Sequence, residues 1–142
     1  MYRIVSKEML TPTICRMKVE ASRLASAALP GQFLIVRADE QGERIPLTIS
    51  DFDKDAGTVT IVTQKIGAST SEICSYEEGD SFSDVVGPLG CPTEFGEPKR
   101  AVVIGGGVGC AIAYPQAKAL HNMGVKTDVI AGFRNRDIVI LE

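Results

Sequence analysis

Thr13-Ile14-Cys15-Arg16-Met17-Lys18-Val19-Glu20 alternates almost perfectly between apolar and polar or charged side chains. A period of two is the mark of a strand in a sheet with one wet face. Upstream, Arg3-Ile4-Val5-Ser6-Lys7 alternates in the same way. Downstream, Leu29-Pro30-Gly31 makes a turn before Gln32 to Arg37, and the loop Asp39 to Glu43 leads into a further strand, Ile45 to Phe52. Asp53-Lys54-Asp55-Ala56-Gly57 has hairpin-turn composition, with Gly57 free to take positive φ. Thr58 to Gln64 is rich in β-branched residues and alternates again. Closely spaced strands separated by turns predict a small antiparallel β-barrel over residues 1–97.

Two segments interrupt this pattern. Gly67-Ala68-Ser69-Thr70-Ser71-Glu72-Ile73-Cys74 reads as the start of a short helix with hydroxyls available to cap it. Gly87-Pro88-Leu89-Gly90-Cys91-Pro92 reads as a stiff turn closing the first unit. From residue 98 the character changes. Ala101-Val102-Val103-Ile104 is a continuous apolar run, as in a strand covered on both faces. Gly105-Gly106-Gly107-Val108-Gly109 follows, then a helical stretch from Cys110 to Asn122 stopped by Gly124, and a strand from Lys126 to Ala131. This is one βαβ unit. One such unit cannot bury both faces of its sheet, and Ile138 to Glu142 stops in mid-pattern. Residues 98–142 are therefore expected to be the first part of a truncated α/β nucleotide-binding domain. Val102, Ile104, Val129 and Ile130 are expected to lack cover and to favour self-association.

Composition removes several function classes. Fifteen basic residues are dispersed against a net charge of −3, and Trp is absent, which disfavours nucleic acid and membrane-surface partners. The longest apolar stretch, Ala101 to Pro115, contains four glycines and is too short to span a bilayer. A cytoplasmic location is the expectation. Cys15, Cys74, Cys91 and Cys110 include no C-x-x-C pair, and His121 is the single histidine, so no metal site is expected.

Three segments carry binding chemistry. A glycine run between a buried strand and a helix lets backbone amides approach a phosphate at a helix N-terminus. Gly105 and Gly107 fit G-x-G-x-x-G, but Cys110 holds the third position, and Asp128 lies near the start of the second strand rather than its end. A tight strand-to-helix connection is the alternative. Arg44-Ile45-Pro46-Leu47-Thr48 places Arg44, Pro46 and Thr48 on one strand face, an anion contact in line with a hydroxyl. Alone it reads equally as an ordinary strand with an exposed arginine. The Gly67-to-Ser71 turn is either an anion site or only a capped helix.

Taken in order, Pro30-Gly31-Gln32-Phe33, Arg44-x-Pro46-x-Thr48, Gly67-x-Ser69-Thr70, Asp84 to Gly90 and Gly105 to Gly109 resemble the ferredoxin–NADP reductase superfamily. Within it the chain is most similar to the dihydroorotate dehydrogenase electron-transfer subunits and the small subunits of NADH-dependent ferredoxin:NADP oxidoreductase, also called sulfide dehydrogenase. Gly106 to Gly109 with Tyr114-Pro115, Gly132-x-Arg134 and Ile140-Leu141-Glu142 favour the latter. The resemblance implies an NAD(P)H-dependent flavoprotein subunit with FAD along the barrel edge. Arg44 would contact the pyrophosphate, Thr48 would act near flavin N5, and Gly67, Ser69, Thr70 and Ser71 would bind phosphate. Pro46, Leu47 and Gln64 would complete the cofactor site, while NAD(P)H would dock at Gly105, Gly106, Gly107, Val108 and Gly109, with Arg134 near. Ile112 departs from the pattern, since relatives often have proline there. A [2Fe-2S] cluster is expected only in a C-terminal segment beyond this chain, which alone would be inactive. A flavoprotein or iron–sulfur subunit of a heteromeric oxidoreductase, and ferredoxin, are the implied partners. Two alternatives stay open: a flavin-binding docking module without hydride chemistry, and a cofactor-free interaction domain. NADH and NADPH are not distinguished.

Overall fold

The structure is a computed structural model that describes residues 1–141. Its strands are β1 (Tyr2–Thr11), β2 (Ile14–Glu20), β3 (Phe33–Arg37), β4 (Arg44–Thr48), β5 (Asp51–Asp53), β6 (Thr58–Gln64), β7 (Ser81–Phe82), β8 (Asp84–Leu89), β9 (Arg100–Gly106) and β10 (Lys126–Gly132). Its helices are α1 (Ser22–Ala27), α2 (Ala68–Ser75) and α3 (Cys110–Asn122). A five-stranded sheet runs β5-β6-β2-β1-β7, and a three-stranded sheet runs β4-β3-β8. Every pairing in these two sheets is antiparallel. They enclose one core instead of closing into a continuously hydrogen-bonded barrel among the described residues.

The alternation in β2 explains the packing. Cys15, Met17 and Val19 are buried, while Lys18 and Glu20 face water. Val59 and Ile61 of β6, Leu34 and Val36 of β3, and Phe82 of β7 meet them in the same cluster. Phe82 is fully buried and stacks on Tyr76 with ring centroids 5.4 Å apart.

The expected strand Ile45 to Phe52 is two strands in different sheets. The switch takes two residues: Ile49 N–H donates to the Gln32 carbonyl at 3.1 Å, and Ser50 N–H donates to the Thr60 carbonyl at 2.9 Å. Both residues are buried, so the corner itself is core and carries no turn residue. The expected turn at Gly87-Pro88 is also corrected. Both residues lie inside β8, and the chain turns at Gly90, whose φ is +77°. Residue Gly87 is close-packed there, since a Cβ would lie 3.0 Å from Leu34 Cβ. The β5–β6 hairpin turns at Gly57 with φ +66°, as its composition predicts.

Strands β9 and β10 pair in parallel, with α3 returning between them. As expected for a single βαβ unit, one face of this pair lacks cover. Ala101 and Val103 are half-buried, but Val102 and Ile104 are 53% and 71% exposed. A second cluster, Ile14, Val62, Cys110, Ala111 and Ile140, joins this unit to the larger core. None of the helices is long and apolar enough to cross a membrane among the described residues.

Candidate functional site

Strand β4 is the edge of its sheet, where Pro46 costs no ladder hydrogen bond. Arg44 and Pro46 are exposed and Thr48 is half-buried, so polarity falls along the strand toward its C-terminal end. Strand β6 approaches from the other sheet, and α2 begins just after it. These elements and the start of α3 enclose a cleft of ≈ 280 Å³. Six of the sequence-predicted residues line or bound it: Pro46, Leu47, Thr48, Gln64, Thr70 and Val108. Arg44, Gly67, Ser69 and Ser71 adjoin this lining in sequence without being part of it. Gly105 lines a separate groove of ≈ 550 Å³ beside α3.

Val62, Thr63, Ile66, Ala111 and Ile112 also line the cleft, beyond the binding residues that the sequence predicts. Alternation in β6 gives a local signal for Val62, which shares a face with Gln64. No local signal could have placed Ala111 and Ile112 opposite β4, because a long-range approach brings them there. Ile66 is exposed at the lip of the cleft. Thr63 Oγ1 is buried and has no hydrogen-bond partner among the described residues. Polar groups in that state are uncommon.

The α2 N-terminus is built for an anion in part only. Thr70 Oγ1 accepts from Ile66 N–H at 3.0 Å and from Gly67 N–H at 3.1 Å, so this hydroxyl serves as a cap. The first intrahelical bond is Ser71 N–H to the Gly67 carbonyl, at 3.0 Å. Amides of the preceding residues are the orphan donors of the helix. Gly67 has open space where a side chain would project. Ser69 Oγ donates to the Glu43 carboxylate, and Arg44 Nη1 donates to Asp84 Oδ2 at 2.8 Å. Both anion-seeking groups are therefore already turned toward carboxylates on the surface.

At the glycine turn each glycine has a different task. A Cβ on Gly105 would lie 3.0 Å from Cys110 Cα and 3.1 Å from Ala113 Cβ, so this glycine lets α3 sit against β9. Gly107 adopts φ +54°, and Gly109 has open space around it. Cys110, in the third glycine position, is buried against Gly105, and burial raises its pKa. Asp128 is held by Arg100 Nε and Nη2 at 3.0 and 2.6 Å, away from the ends of the strands. Arg134 is exposed just beyond β10. The mostly apolar cleft, the uncovered Gly67 and the open backbone at Gly107 and Gly109 fit a flat heteroaromatic ring with a phosphate tail.

Solved structures define the class. The chain superposes on a chain of the NADH-dependent reduced ferredoxin-NADP oxidoreductase, solved in a study of flavin-based electron bifurcation, with TM-score 0.91 and 37% identity. That match covers 100% of this chain and 51% of the other. Phthalate dioxygenase reductase shares the fold, with TM-score 0.79 and 19% identity over 97% of this chain and 44% of that one. The chain thus has a ferredoxin-reductase-like fold, an antiparallel FAD-binding type of barrel followed by a small α/β part.

Curated relatives named as electron-transfer subunits match nearly the whole chain. It is 38% identical to the dihydroorotate dehydrogenase B (NAD(+)) electron transfer subunit homolog of Thermotoga maritima, over 97% of this chain and 49% of the relative. It is 50% identical to an uncharacterized protein of the adh 3′ region of Clostridium beijerinckii, over 100% of this chain and 50% of the relative. The chain therefore spans about half the length of these curated relatives. No protein-family profile matches it.

Proposed function

We propose that this chain is the flavin-binding portion of an NAD(P)H-dependent oxidoreductase subunit, which passes electrons between NAD(P)H, FAD and an iron–sulfur centre of a heteromeric complex. The observation that carries this reading is the cleft itself. Pro46, Leu47 and Thr48 from one sheet, Gln64 from the other, Thr70 from α2 and Val108 from the glycine turn converge on one space. In this reading residues 1–97 hold FAD and residues 98–142 begin the NAD(P)H site.

FAD, when bound, supplies two-electron hydride acceptance and one-electron release. The chain's own residues bind and orient it. Pro46 and Leu47 form an apolar wall for the ring, and Val62, Ile66 and Val108 exclude water around it. Thr48 would offer its hydroxyl as a hydrogen-bond partner to the flavin ring. Arg44 keeps one guanidinium nitrogen on Asp84 and turns the others to the pyrophosphate, as a fork with five donors allows. Ser69, Ser71 and the free α2 amides take the phosphate, with Ser69 released from Glu43. Gly105 to Gly109 would admit the NAD(P)H phosphates, and Arg134, exposed beyond β10, would add a positive charge for the nucleotide. A cytoplasmic flavoprotein or iron–sulfur partner, with ferredoxin as a further electron partner, completes the reading.

FAD fluorescence titration tests it. Arg44→Ala removes a charge-assisted phosphate contact worth about 1.5–3 kcal/mol, so Kd should rise roughly 10- to 150-fold while the fold persists by circular dichroism. Thr48→Val keeps the shape, weakens binding less, and shifts the reduction potential of bound flavin. A wild-type chain that binds no FAD in this titration overturns the reading, and an unchanged Kd in Arg44→Ala removes Arg44 from the site.

A further inference from the structure

Cys15 on β2 and Cys74 on α2 are 59 residues apart in sequence, yet Cys15 Sγ–H donates to Cys74 Sγ at 3.0 Å. Both are free thiols. A disulfide needs the sulfurs at about 2.05 Å, so closure brings them roughly 1 Å nearer than they stand. We propose that Cys15 and Cys74 form a peroxide-oxidisable dithiol, closing reversibly to a disulfide that ties α2 to β2. Neither sulfur lines the cleft described above, although Cys74 Sγ lies 3.5 Å from the carbonyl of Thr63, which does.

The two thiols are set up for different parts. Cys74 is 2% exposed and lies against a surface hollow lined in part by Lys7, Lys65 and Ser75. The hydrogen bond from Cys15, followed by the positive charges of Lys65 and Lys7, pulls its pKa down. Its thiol is thus the readier of the two to ionise, and a small neutral oxidant can reach it through the hollow. Cys15 is fully buried, and its bond to Cys74, together with burial, pushes its pKa up. It keeps its proton and serves as the resolving thiol.

The chemistry balances with one hydrogen peroxide. Cys74 thiolate attacks a peroxide oxygen: the S–O bond forms, the O–O bond breaks, and hydroxide leaves and takes up a proton. Cys15 then attacks the sulfenic sulfur, the S–S bond forms, the S–O bond breaks, and water leaves with the Cys15 proton. Two thiols lose two electrons and two protons, and peroxide becomes two waters. The product would pin α2, whose first turn carries Gly67 and Ser69, to the centre of the five-stranded sheet.

Cys91 is exposed and Cys110 is buried elsewhere, so both act as internal controls. The experiment treats the whole chain with equimolar hydrogen peroxide, alkylates it in denaturant and maps the peptides by mass spectrometry. A cross-linked peptide pair containing Cys15 and Cys74, lighter by two hydrogens and restored by dithiothreitol, is expected. Cys91→Ser should retain the cross-link, and Cys74→Ser should leave Cys15 fully alkylated. If wild-type Cys15 and Cys74 both carry the alkyl label while Cys91 is oxidised, the proposal fails. It fails also if Cys74 passes to sulfinic acid without joining Cys15. The wild-type map decides the matter even where Cys74→Ser does not fold.

Discussion

The two parts of this molecule solve burial in different ways. In the larger part, strands from two sheets present alternate residues to one core, and Met17, Ile61, Leu34 and Phe82 lose essentially all contact with water. In the α/β part, β9 and β10 carry equally apolar residues, but a single helix covers a single face, and Ile104 and Ile130 stay exposed. Apolar sequence is thus a promise of burial that only partner elements fulfil. An antiparallel pair can satisfy one face locally, whereas a parallel sheet needs layers on both sides.

The largest expected effect lies in that contrast. Phe82→Ala should destabilise the chain by about 3–5 kcal/mol, through lost transfer energy and the cavity left under Tyr76. Ile104→Ser, on the open face, should stay within about 0.5 kcal/mol. Urea unfolding of the two variants measures both. A loss at Ile104 approaching that at Phe82 would mean the open face is covered in solution, and concentration dependence of the midpoint would identify self-association as the cover.

The next comparison falls within the glycine turn. Gly105→Ala drives a methyl group to 3.0 Å from the α3 backbone and should cost about 1–3 kcal/mol as α3 is displaced. Gly109→Ala meets open space at ordinary φ, so stability should hold or rise slightly. If the turn serves the dinucleotide, Gly109→Ala should instead weaken NADH binding, measured by titrating the fluorescence of NADH itself. Equal stability losses at both positions would show that the turn is packing alone.

These contrasts mark what is legible in the chain. Strands β2, β6 and β10 and helix α3 are legible because each is one uninterrupted run of a single kind, although β6 buries residues on both faces and β10 buries none. Helix α1 carries no such signal: it is six residues long and buries only Leu24 and Ala25. The corner at Ile49-Ser50 is equally silent, since two buried residues in extended backbone look like the middle of one strand. At the cleft, Pro46 and Thr48 stand out only through the order of motifs that carries the family resemblance, since alone their strand reads as an ordinary one. Ala111 and Ile112 do not stand out, because their place in the cleft is set by how α3 docks on β4 and β6. The resemblance implies phosphate binding at Thr70, whereas its residue type and place at the turn fit a cap, and its hydroxyl is in fact occupied as one.

The smallest expected effect concerns the joint between the two parts. Lys118 of α3 donates to Asp51 of β5 at 2.7 Å, an ion pair that spans the barrel and the α/β unit. Both side chains are partly exposed, so screening leaves a contribution of about 0.2–1 kcal/mol. The hydrogen bond to Asp51 outweighs desolvation and raises the Lys118 pKa above its ordinary value. The folded state therefore holds this proton more tightly than the unfolded chain. The stabilisation is complete below the unfolded lysine pKa of about 10.4 and is lost as pH rises through the higher folded value. Lys118→Met keeps the stem that packs along α3 and removes the charge. Its stability deficit at pH 8 should be a few tenths of a kcal/mol, should shrink in 1 M salt, where the Debye length is about 3 Å, and should fade as pH rises through the raised lysine value. A deficit that ignores salt and pH would assign Lys118 to packing between the two parts, leaving the ion pair without a role in joining them.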